Sequence, residues 1–154
     1  MKINKNSLLI YGFLALAALV VAVMPACKKG TESEQITLDT VAAVMGTPSG
    51  SSSGVSELAK EGDTYIINYH LMISDMKDFD VIIGSDLAPK IAALYKTFKS
   101  LDKATFTVET GDPSNPANVN PYCDFDMTRK IYQQLNWTNL LARDLFKVCK
   151  VTYK

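Results

Sequence analysis

The run Leu8–Met24, LLIYGFLALAALVVAVM, is almost wholly apolar and breaks at Pro25-Ala26-Cys27 before the polar Lys28-Lys29-Gly30. This run decides how much of the chain is free to build a fold. Its 17 residues would make a helix of about 25 Å, short of the roughly 30 Å hydrocarbon core of a bilayer. Lys2 and Lys5 precede it, and no acid occurs before Cys27. A basic start, an apolar stretch and a small residue before the break together describe an export signal that is removed. The alternative is a retained membrane anchor. Either way, a folded domain must find its core downstream.

The residue types at the break narrow this further. Ordinary signal cleavage wants small residues at alternate positions, and Met24 is large. The sequence Leu19-Val20-Val21-Ala22-Val23-Met24-Pro25-Ala26-Cys27 instead resembles the lipobox of bacterial lipoproteins, although Met24 stands where Leu is usual and Pro25 is uncommon at its position. The resemblance covers about the first 27 residues. It implies that the Cys27 thiol takes a diacylglyceryl group as a thioether, since a thiolate is the nucleophile such a step needs. A dedicated peptidase then cuts after Ala26, and Cys27 becomes the first residue, traceable by its palmitate label. Two or three acyl chains, at about 0.8 kcal/mol per buried CH₂, make a lasting anchor where one chain binds only reversibly. The second residue would be Lys28 rather than Asp, which favours the outer membrane. The polar run after Cys27 also resembles lipoproteins of the Bacteroidota. Which side of that membrane the domain occupies is left open by these residues.

Removing residues 1–26 takes away two lysines and shifts the formal charge from zero to −2. A nucleic-acid binder needs a basic surface to displace counterions, so that class is excluded. The expected organisation is a signal over residues 1–26, a lipidated tether and linker over 27–56, and one domain over 57–154. The linker assignment rests on Gly46–Ser56, GTPSGSSSGVS, a composition that buries little area. A short helical or extended segment is expected at Ile36–Met45.

Within the domain, Thr64–Ile73 alternates as a strand, with Tyr65, Ile67, Tyr69, Leu71 and Ile73 on one face and Ile66, Asn68, His70 and Met72 on the other. Leu87, Ile91, Leu94, Tyr95, Phe98 and Leu101 recur at helical spacing, with Ser85 or Asp86 as cap and Pro89 in the first turn. Ala104–Glu109 alternates again. A third strand is expected near Tyr122–Met127, followed by two helices, with Val148–Lys154 finishing as a strand. Too few βα alternations occur for a doubly wound sheet. The expected fold is therefore α+β: a small single domain with a short antiparallel or mixed sheet and two or three helices on one face.

The chemistry-bearing residues are few. Cys123 and Cys149 form an even pair in an exported domain and are candidates for a disulfide; two buried thiols are the alternative. Asp75, Asp78, Asp80 and Asp86 form an acidic string without the ligand spacing of a calcium loop. His70 is the only histidine, too few for a usual zinc site, and no G-x-S-x-G exposes a nucleophile. Asn136-Trp137-Thr138 matches a glycosylation sequon, and Asp39-Thr40-Val41 resembles a short O-glycosylation motif of some Bacteroidota. Trp137, Tyr122 and Tyr132 are either core anchors or an aromatic platform.

No catalytic, cofactor or metal residues are assigned. The expected function is a non-enzymatic envelope lipoprotein, membrane-held through Cys27, whose domain binds or braces a protein partner. Two alternatives stand beside it: a small enzyme or ligand-binding protein using His70 and the Asp75–Asp86 segment, and an inhibitor or immunity-type lipoprotein.

Overall fold

A computed structural model describes residues 34–73, 79–138, 140 and 142–154. The signal run and Cys27 lie outside the described residues, as do Asp75 and Asp78. The elements follow in the order α1 (Leu38–Met45), β1 (Gly54–Glu61), β2 (Thr64–Met72), α2 (Phe79–Thr97), β3 (Lys103–Asp112), β4 (Asn115–Thr128), α3 (Arg129–Gln134), α4 (Ala142–Val148) and β5 (Val151–Tyr153). The five strands form one mixed sheet in chain order, and the chain is a small α+β domain. Three helices follow residue 57, and α1 takes the helical of the two conformations expected for Ile36–Met45.

The sheet grows outward from its middle. β2 and β3 are parallel, with Thr64 facing Lys103 and Met72 facing Gly111. Hairpins add β1 and β4 antiparallel on either side, and β5 pairs briefly with Cys123–Phe125 of β4. A parallel pair cannot be joined by a tight turn, and α2 is the crossover between β2 and β3.

Alternation places Ile67, Tyr69 and Leu71 of β2, Ala104, Phe106 and Val108 of β3, and Cys123, Phe125 and Met127 of β4 on one buried face. Phe106 and Phe125 stack there with centroids 5.1 Å apart. The α2 stripe Leu87, Ile91, Leu94 and Tyr95, continued by Phe98 and Leu101 after the helix, covers this face and is buried as its spacing predicts. The helix starts earlier than expected, at Phe79, so Asp86 is not a cap and Pro89 lies inside the helix. Pro89 is exposed, so the backbone bond it cannot donate is missing on the solvent side.

The expected boundary at residue 57 is corrected. The described residues from Glu34 onward all belong to one folded unit. Thr37 caps α1 and shares a capping box with Thr40, and Val41 and Met45, one turn apart, are fully buried. The glycines of the supposed linker are places of close approach. Gly46, at φ 87°, accepts from the Val55 N–H at 2.9 Å, and a Cβ on Gly54 would lie 2.5 Å from the Gly46 carbonyl. The serines between them close on themselves, with Ser49 and Ser52 exchanging backbone bonds of 3.1 and 2.8 Å. Composition alone cannot distinguish a glycine that gives freedom from one that allows contact.

The C-terminal end of α2 is closed by a side chain from elsewhere in the chain. Arg129, the first residue of α3, donates through Nε to Leu101 O at 2.9 Å and through Nη2 to Phe98 O and Leu101 O at 2.5 and 2.7 Å. Nη1 reaches Tyr95 O at 3.3 Å, and the guanidinium lies 5.2 Å from the Tyr95 ring centroid. The last carbonyls of a helix lack intrahelical partners and carry its negative end; a planar cation answers both needs.

Two stability outcomes follow from these contacts. Gly54→Ala should cost about 2 kcal/mol or more in chemical denaturation, since backbone rather than a side chain blocks the new methyl. Gly50→Ala, at φ 53° with open space around it, should cost only about 1–2 kcal/mol, the penalty of a left-handed residue. Arg129→Met should cost roughly 2–4 kcal/mol by leaving partly buried carbonyls unpaired, and Arg129→Lys should recover little of it because an ammonium cannot span the same acceptors.

Candidate functional site

Asp86 and Lys90 are one turn apart on α2, on the side that meets β2 and the serine loop. Their ion pair, Lys90 Nζ to Asp86 Oδ1, is 3.2 Å, as expected for opposite charges at i and i+4. Tyr69, on the buried face of β2, sends its hydroxyl between them. It donates to Asp86 Oδ2 and accepts from Lys90 Nζ. Lys90 also donates to Ser53 O at 3.1 Å, which engages all the donors an ammonium has. The Ser53 hydroxyl accepts from the Met72 N–H at 3.0 Å. One lysine thus ties the crossover helix, the second strand and the loop before β1 together.

Burial, and then the hydrogen bond to Asp86, push the Tyr69 phenol far above its usual range. It therefore stays protonated and acts as a donor. Above this network opens a cleft of about 340 Å³, rimmed by Ser51, Ser52 and Ser53 and lined by Leu71, Met72, Ile73 and Ile82. That volume lies at the small end of ligand sites and suits one side chain or a small polar molecule. Ser51 and Ser52 are exposed, and Asp86 has acceptor capacity beyond its bonds to Tyr69 and Lys90. The cleft thus sets exposed hydroxyls and a carboxylate with spare acceptor capacity beside an apolar wall.

His70 is not part of this cleft. It follows Tyr69 on β2 and so points to the opposite, open face of the sheet. There Nε2 meets Glu109 Oε2 at 2.7 Å, a cross-strand pair set by the β2–β3 register. The expectation that His70 and Asp86 share a cleft is thus corrected: they lie on opposite sides of one strand. Asp75 and Asp78 lie outside the described residues, as does the side chain of Asp80. Among the described residues no three His, Cys, Asp or Glu side chains are grouped to hold a metal ion.

The open face is polar and internally paired. Thr105 Oγ1 donates to Asp126 Oδ1 at 2.7 Å, and this bond, ahead of the nearby Lys103, holds Asp126 below its usual range. Lys103 and Lys154 make ion pairs of 3.1 and 2.8 Å with Asp126 and Asp124. Asn68 donates to Glu57 at 2.8 Å.

Of the two expectations for the cysteines, the structure has the buried thiols and not the bridge. Both Cys123 and Cys149 are buried and both are thiols. They belong to different elements. Cys123 faces Tyr153 in the β4–β5 ladder, which begins only at Val151, while Cys149 still closes the last turn of α4, its N–H donating to Leu145 O at 3.1 Å. Burial, and then the charge of Asp126, push the Cys149 thiol up to about 12.

The aromatic residues divide between two places. Tyr132 stacks on Tyr95 at 5.2 Å and lies tilted against Trp137 at 5.3 Å, and the Trp137 indole donates to Tyr132 O at 2.8 Å. Tyr122 instead packs edge-on to Tyr153 at 5.4 Å. They form a support for α3 and an edge contact, not one platform.

No helix among the described residues is long and apolar enough to cross a membrane. The chain matches no family model, no curated protein and no solved structure.

Two outcomes check the site. Tyr69→Phe should be destabilising by about 1–3 kcal/mol, because it leaves Asp86 and Lys90 each short of one partner in a half-buried network; a double-mutant cycle with Asp86→Asn should show coupling rather than additivity. Unfolding without reductant in the presence of iodoacetamide should alkylate both Cys123 and Cys149, while the native domain at pH 8 should leave Cys149 unmodified. Mass spectrometry reads both.

Proposed function

We propose that this chain is a lipid-anchored envelope protein whose α+β domain is a binding module, with the cleft beside Asp86 and Lys90 as its contact site. The sequence around Cys27 supports the anchor. A single observation supports the binding role: polar groups that could serve chemistry are spent on one another, while an open cleft with a serine rim and an apolar floor stands above the Tyr69–Asp86–Lys90 network. A protonated phenol and a fully engaged ammonium hold position; they do not supply a nucleophile or a base. The envelope partner is expected to insert a donor-bearing group into the cleft.

The anchor and the module are tested separately. Cys27→Ala should abolish incorporation of radioactive palmitate and release the protein from the membrane fraction; persistent label overturns the anchor. For the module, a photo-crosslinking residue at Ser51 should give one adduct of defined mass in intact cells. The same residue at Thr107, on the open sheet face, should not. Loss of the Ser51 adduct on Ile82→Glu would tie it to the cleft, and an adduct only from Thr107 would move the site to the open face.

A further inference from the structure

The folded body has two poles, set by the direction of its strands. At one pole stand the starts of β2 and β3, where Thr64 faces Lys103 and Lys103 faces Thr128. The α2–β3 turn with Ser100 belongs to this pole. At the other pole Met72 faces Gly111 and Gly54 faces His70, and Ser53, beside Gly54, rims the cleft. β2 spans the distance between them, about 26 Å at 3.3 Å per residue.

The chain joins the body at the first pole, on two separate observations. Glu34 Oε2 accepts from the Ser100 N–H at 3.0 Å and from the Ser100 hydroxyl at 3.3 Å. α1 then carries the chain away from that pole, because its C-cap Gly46 abuts Gly54 at the other. The serine loop and the cleft are reached only after α1 has been laid down.

Glu34 follows Cys27 by seven residues, which fully extended span roughly 25 Å and as a coil average about 15 Å. For the cleft to face the bilayer, Glu34 would have to stand a full strand length above the surface. That would need the link at its extreme extension or beyond it.

We infer that the domain is held with its Ser100 pole toward the bilayer and its Ser51–Ser53, Asp86 and Lys90 cleft away from it, so that the cleft meets a water-borne partner and not lipid. This rests on the reading of Cys27 as lipidated. It also replaces the long spacer that Gly46–Ser56 suggested with a short one: reach comes from the folded body itself.

The test uses the full chain, matured in a Gram-negative host, extracted in detergent and reconstituted into phosphatidylcholine vesicles that carry a nitroxide on the headgroup. Lys99→Cys and Ser51→Cys, both at exposed positions, are each labelled with a fluorophore. Quenching at position 99 should exceed that at position 51 several-fold. Equal quenching, or stronger quenching at position 51, overturns the orientation. Palmitate incorporation is measured on the same preparations: its absence overturns the anchor and the orientation with it, whereas palmitate with the wrong quenching order overturns the orientation alone. A Gly/Ser insertion of about 30 residues after Glu32, long enough for the coil to span the body, should erase the difference between the two labels. If the difference survives the insertion, the short link is not what orients the domain.

Discussion

A parallel pair of strands at the centre of an otherwise antiparallel sheet imposes most of what else is seen. β2 and β3 cannot be joined by a hairpin, so the chain between them must cross the sheet, and α2 does so with an apolar stripe that roofs the central strands. Once that roof is in place, the flanking hairpins extend the same buried face outward. The crossover is held at two points. Arg129 closes its last carbonyls from the far side of the β3–β4 hairpin, and Lys90 ties its middle to Tyr69 and to the loop before β1. Both contacts join residues distant in sequence, so each also locks a hairpin to the helix.

Helices on one face leave the other face to water, and the protein answers that with cross-strand pairs instead of apolar cover. His70 with Glu109, Asn68 with Glu57, and Thr105 and Lys103 with Asp126 each satisfy a partner across the ladder. Such pairs contribute little individually in exposed settings. Their effect is to keep a flat polar surface from offering a hydrophobic one. The division explains why the only histidine, the residue most suggestive of chemistry, is occupied on the open face while the cleft forms on the other side of the same strand.

Regular patterns were legible in the residues. The alternation of Thr64–Ile73 and the stripe from Leu87 to Leu101 are local periodicities, and Ile67, Tyr69 and Leu71 of the one and the whole of the other are buried as the spacing assigns. What was not legible depended on partners far along the chain. Gly46 and Gly54 look like linker residues until their backbones are seen in contact. Asp86 looks like a cap until Tyr69 and Lys90 meet it. The Asp86–Lys90 spacing was a visible signal of an ion pair, but nothing local said that a buried phenol would sit between them. Cys123 and Cys149 are an even pair by count, and only the tertiary structure puts one in the middle of β4 and the other at the end of α4.

The sequence by itself determined the period of each main element and the composition of the core, because these depend on neighbours within a few residues. Tertiary structure decided where the folded body begins, which face of β2 each side chain serves, how α2 is capped, and at which pole the chain joins the body. Those are questions of register and of contact between distant segments. A one-residue shift in a strand reverses its faces, and a glycine's role depends on what approaches it.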